Sequence, residues 1–165
     1  MSWSRAYARQ AQVDLNARDL PLTDRAMPEC EHLHMLQMAA EKLCKAHLAA
    51  QGQPPAVLRT SHAFIAGPLP VIARQYLARE AGRLPRQTWV LSAIKKLCRR
   101  IELLHPQVDE GGAVPSNCEY PWIDTDGAVV SPADYNFDLS LLHEKAGGTL
   151  LKIMRIAISE LLEET

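Results

Sequence analysis

Lys95, Lys96, Arg99 and Arg100 form the densest run of positive charge in this chain. Lys95/Arg99 and Lys96/Arg100 are i, i+4 pairs, so on a helix the charges share one side. Such a stripe can hold a phosphate backbone; it can also be a solvated face paired with Glu102 and other acids. His105 precedes Pro106, and a residue before proline is pushed out of helical geometry. It is therefore expected at a helix C-terminus, where the dipole favours a protonated imidazole. Cys30, His32, His34 and His47 include metal-ligand types, and Cys30 and His34 are i, i+4. No third ligand keeps step with them, so neither a metal site nor a cofactor is expected. Tyr120, Trp122, Tyr135 and Phe137 offer faces on which bases stack. No basic residue lies between Gln107 and His143, while seven acids do. Packing of these aromatics onto the rest of the fold is the favoured expectation.

The elements that must position these groups read as helices. Between Pro28 and Gln51, Leu33, Leu36, Ala40, Leu43 and His47 recur at alternating steps of three and four, which makes one apolar seam. Cys44 and Leu48 widen it, while Glu41, Lys42 and Lys45 fall off it. Glu41 is thus expected as an exposed carboxylate; the other role open to it is to orient an arginine or contact a ligand. Gly52, Pro54 and Pro55 stop this helix. A first helix is expected over Ser4–Leu20, capped by Ser2 or Ser4 and ended by Pro21, with a short link that implies antiparallel neighbours. Thr60 or Ser61 can cap a helical piece, SHAFIA. Gly67, Pro68 and Pro70 interrupt it before VIARQYLARE runs to Gly82, so the region reads as one broken helix. A second long helix spans Arg86–Leu104, and a last one Gly148–Glu163. The apolar surface of the last helix is wide enough for a central helix or a dimer contact. Between them, Pro106–Leu142 is irregular, with a hairpin signal at Asp126-Gly127. The expectation is all-α: an antiparallel bundle of about five helices, with one long loop before the last, forming a single domain over 1–165.

The chain of 165 residues is long enough for one real core. Its net charge of -1 gives no global attraction to nucleic acid or anionic membrane. No apolar run reaches a membrane span, and the polar N-terminus lacks the apolar core of a secretion signal. The four cysteines, without CxxC spacing, read as buried free thiols in a reducing cytoplasm.

The run LHMLQMAAEKLCKAHL, with Gln37, Ala39, Ala40, Glu41, Lys42, Lys45 and Ala46, resembles the HEPN family. So does the order of elements: helix, this helix, a broken segment opening near His62, a long helix and a closing helix. NCEYPW, ADYNF and the Gly-Gly start of the last helix resemble one subgroup of it. HEPN proteins are small α-helical bundles of toxin–antitoxin and defence systems. The resemblance implies a homodimer that binds RNA or nucleotides and acts as a metal-independent endoribonuclease. Active members carry Arg, four to six residues, then His; Arg100 to His105 matches, as does Arg99 to His105. The resemblance gives His the 2′-OH proton and Arg the charge on phosphate, in a cleft shared by two subunits, leaving a 2′,3′-cyclic phosphate. Two features depart from the pattern: Ile101 stands where a polar residue is frequent, and Pro106 follows directly. On a regular helix Arg100 and His105 diverge by about 140°, so convergence needs an unwound last turn. The rival expectation is a non-catalytic module that docks a nucleotidyltransferase-type antitoxin.

Overall fold

The computed structural model describes residues 1–19, 27–81, 88–108 and 115–163. It is an all-α bundle: α1 (Trp3–Asp19), α2 (Glu29–Ala50), a one-turn α3 (Pro55–Leu58), α4 (Pro68–Ala81), α5 (Thr88–Glu102) and α6 (Lys145–Glu163). The expected link after Pro21, the stop at Gly82 and the start at Arg86 lie outside the described residues. Among the described residues no helix is long and apolar enough to cross a membrane.

α1 starts where Ser2 Oγ accepts the Arg5 N–H at 3.2 Å, an N-cap bond. Its small Ala8 and Ala11, with Leu15, are buried against α2. α2 packs on α1, α4, α5 and α6. Between Gln37 and Ala46 no residue of α2 is exposed, and this corrects two expectations. Glu41 and Lys45 are buried, at 4% and 6% exposure, although they fall off the apolar seam. Conversely, His47, placed on the seam, is only half-buried and has Gln51 Nε2 2.8 Å from its ring.

SHAFIA is not helical: residues 61–66 form an irregular loop, and the helix begins at Pro68. The reason is a distant carboxylate. Glu102 Oε1 accepts the N–H groups of Ile65 and Ala66 at 2.7 and 2.8 Å, which takes those donors out of any local helix. α3 meanwhile forms where a plain loop is expected, with Pro55 in its first turn.

After α5 the chain is irregular, as expected, and carries a small antiparallel hairpin. Trp122 pairs with Val130 and Ile123 with Val129, around a turn whose Gly127 has φ +81°. Trp122, Tyr135 and Phe137 pack edge-to-face, with Tyr135 5.0 Å from both partners. Phe137 is buried in the main core, whereas Tyr120 is exposed.

α6 contacts α1, α2, α4 and α5, so its wide apolar surface is used inside the chain. It begins three residues before Gly148. Gly147 permits this, because a Cβ there would stand 2.2 Å from the Leu142 carbonyl oxygen. Gly147→Ala is therefore expected to destabilise the fold by about 1–3 kcal/mol through overpacking against backbone. Gly148→Ala, with nothing near its Cβ, should gain about 0.5–1 kcal/mol from lower chain entropy. Urea midpoints of the two variants beside the parent check the contrast.

Candidate functional site

Gln37, Glu41 and Lys45 stand one turn apart on α2 and all point inward. Glu41 Oε1 receives Lys45 Nζ at 2.6 Å. Its other oxygen accepts from Gln37 Nε2 and lies against His62 Nδ1, each at 3.1 Å. A carboxylate only accepts, so the neutral His62 ring carries its proton on Nδ1 and leaves Nε2 as the lone-pair nitrogen. The Phe64 ring lies 5.4 Å from Lys45 Nζ, a cation–π contact. The two Glu102 hydrogen bonds hold the loop that carries His62 and Phe64.

His105 completes the centre. Its ring stacks on His62 with centroids 3.8 Å apart and planes 12° from parallel. The Gln107 N–H donates to His105 Nδ1 at 3.1 Å, which leaves the neutral ring's proton on Nε2. That atom lies 3.6 Å from Glu119 Oε1, and His34 Nδ1 lies 3.7 Å from the same oxygen. Glu119 is set there by NCEYPW. Buried Asn117 accepts the N–H groups of Glu119 and Tyr120 through Oδ1, at 2.9 and 2.7 Å. The Cys118 N–H donates to the Leu104 carbonyl at 3.0 Å, joining this turn to the end of α5.

Burial lowers the His105 pKa below its ordinary value, and the nearby His62 ring lowers it further, against the opposing pull of Glu119 and Glu41. Burial thus works against the protonated helix-end imidazole that the dipole alone would favour. His62 is the accessible member of the pair, with 36% side-chain exposure against 8% for His105. All four cysteines are buried free thiols. Burial raises the pKa of Cys44, Cys98 and Cys118, with Cys98 pushed up to about 12, so none is an activated nucleophile.

The structure does not give Arg100 and His105 a common partner. Arg100 Nη2 donates to the Phe137 carbonyl at 2.9 Å and stands 3.8 Å from Asp138, whereas His105 meets His62, Gln107 and Glu119. Lys95, Lys96 and Arg99 lie exposed on α5. Lys95 lines a groove of about 370 Å³ with Arg74, Gly67 and Pro70, just beyond the loop that Glu102 holds. Among the described residues no group of three or more His, Cys, Asp and Glu is arranged to hold a metal ion. Sequence reasoning missed His62, Gln37, Lys45 and Glu119 as site residues. The signal for three of them was present: polar residues at i, i+4, i+8 on a long helix, then a histidine in the next segment. Comparison with protein-family models, curated proteins and solved structures gave no match.

Two outcomes follow from this centre. Glu41→Gln leaves the buried Lys45 charge unpaired and should cost about 3–5 kcal/mol, while Glu41→Gln/Lys45→Met should recover part of that loss. Chemical denaturation of both variants measures it. The second concerns pH. The His105 pKa is depressed in the folded state, so its contribution is complete above the unfolded value near 6.5 and is lost as pH falls toward the folded value. The unfolding midpoint should drop as pH falls below about 6.5, and His105→Gln should flatten that slope.

Proposed function

We propose that the protein is a HEPN-like RNA- or nucleotide-binding module that works as a homodimer and cleaves RNA without a metal. One observation carries this reading. Gln37, Glu41 and Lys45, three of the four polar residues named for the HEPN-like run, are joined in a buried centre with His62 instead of lying solvated on the surface. A polar network in a core is costly unless its members are hydrogen-bonded, and Gln37 Oε1 is buried with no partner among the described residues. This network ends on a half-buried imidazole whose Nε2 has no hydrogen-bond partner among the described residues.

In this reading His62 Nε2 takes the 2′-OH proton, and Glu41 steadies the imidazolium that forms. The 2′-oxygen attacks phosphorus and the 5′-oxygen leaves with a proton, giving a 2′,3′-cyclic phosphate and a 5′-hydroxyl. His105 positions His62 by stacking. Lys95, Lys96 and Arg99 carry the phosphate chain along α5 toward the loop of His62. The activity suits a toxin or defence module, and four buried free thiols suit a reducing cytoplasm.

A second reading has an observation of its own. Arg100 is engaged by the Phe137 carbonyl and His105 is closed beneath His62, so within one chain the two have no common partner among the described residues. That favours a non-catalytic module that docks a nucleotidyltransferase-type antitoxin.

Incubation with mixed RNA in EDTA separates the two. Cleavage by the wild type, lowered about 10²–10⁴-fold in His62→Ala and leaving cyclic phosphate ends, is the expected result. Arg100→Ala and His105→Ala run beside it, and light scattering reads the dimer. RNA left intact by folded protein moves the assignment to docking.

A further inference from the structure

Where α5 ends, Arg100 faces residues 135–139 across a cavity of about 300 Å³, walled by Leu103, Ser116, Tyr135 and Asn136. Among the described residues Arg100 makes one hydrogen bond, to the Phe137 carbonyl, which fixes the guanidinium. A guanidinium has five N–H donors, so most remain for another acceptor.

The nearest carboxylate is Asp138, and its placement is unusual. It has φ +46°, the only positive φ of a non-glycine among the described residues. Its N–H is held by Asn136 Oδ1 at 2.9 Å. Its carboxylate stands 3.8 Å from Arg100 Nη2, too far for a hydrogen bond, with 77% of the side chain exposed. An open pair at that distance contributes little. The acid thus faces the arginine without saturating it. A phosphate can meet the guanidinium through two parallel bonds, which are stronger.

The same cavity has an aromatic wall. Tyr135 is 39% exposed, and its ring is braced edge-to-face by Trp122 and Phe137. A braced, partly open ring is a stacking platform with little entropy left to lose. The cavity lies at the lower end of the size range of ligand sites.

We propose that this cavity is a nucleotide subsite: it takes a phosphorylated nucleoside, with the phosphate on Arg100 in place of Asp138 and the base against Tyr135. The nucleoside is free or forms the end of an RNA. The inference rests on the nucleotide-binding half of the proposed function and not on cleavage.

Calorimetry with AMP, adenosine and inorganic phosphate tests it on the full chain. AMP should bind at least tenfold more tightly than adenosine or phosphate alone. Arg100→Gln and Tyr135→Ala should each lose about tenfold, and Asp138→Asn, which removes the competing charge, should bind several-fold more tightly. A 5′-phosphorylated RNA binding better than its 5′-hydroxyl form assigns the RNA end as the source; equal binding assigns the free nucleotide. AMP binding that is unmoved by Arg100→Gln, or weakened by Asp138→Asn, overturns the subsite, as does no AMP binding in wild type and Asp138→Asn alike. AMP has no scissile bond, so RNA left intact while AMP binds overturns the cleavage reading alone.

Discussion

The buried ion pair between Glu41 and Lys45 constrains much of what surrounds it. A carboxylate and an ammonium taken out of water are stable only if their remaining hydrogen-bonding capacity is met. Lys45 occupies one Glu41 oxygen, so the other must be satisfied from elsewhere, and Gln37 and His62 supply that. Bringing His62 to α2 requires the chain around it to leave helical geometry. Its N–H groups at Ile65 and Ala66 then need an acceptor, which Glu102 provides from α5. Thus a charge pair on one helix sets the loop before a second and the register of a third.

The loop after α5 answers to the same centre. NCEYPW is short of regular secondary structure because Asn117 takes the place of backbone acceptors, holding Glu119 and Tyr120 through its side chain. Glu119 then reaches the outer edges of His34 and His105. The groups run in series from His34 through Glu119, His105, His62 and Glu41 to Lys45, with His62 the most exposed of them. Two stacked imidazoles cannot both be charged cheaply, and burial together with the His62 ring lowers the His105 pKa.

Much of the fold is legible in the sequence. The steps of three and four gave the helices that make the bundle, and Asp126-Gly127 gave the hairpin. Of the aromatics expected to pack, Phe137 and Trp122 do so on the core, whereas Tyr120 and Tyr135 stay exposed. What stayed hidden was set by contacts across the fold. A hydrophobic period identifies one buried face, but no residue of α2 is exposed between Gln37 and Ala46, so Glu41 and Lys45 were placed on a solvent face that the fold lacks there. SHAFIA carries every local signal of a helix start, and its fate was decided by a carboxylate 37 residues away.

The separation of Arg100 from His105 is also a tertiary outcome. α5 ends at Glu102, and the Leu104 and His105 N–H groups bond three residues back, to Ile101 and Glu102. The chain therefore tightens before Pro106, as a residue preceding proline demands, and does not continue the helical spiral. That turn delivers His105 to the Glu41 centre while Arg100, still on the helix, meets the carbonyl of Phe137. Spacing in sequence put both residues in one motif; within one chain the turn gives each of them different contacts. An imidazole pair backed by a carboxylate is suited to moving a proton, and a guanidinium beside an aromatic wall is suited to holding a phosphate. The short turn at the end of α5 gives each of them its own partner.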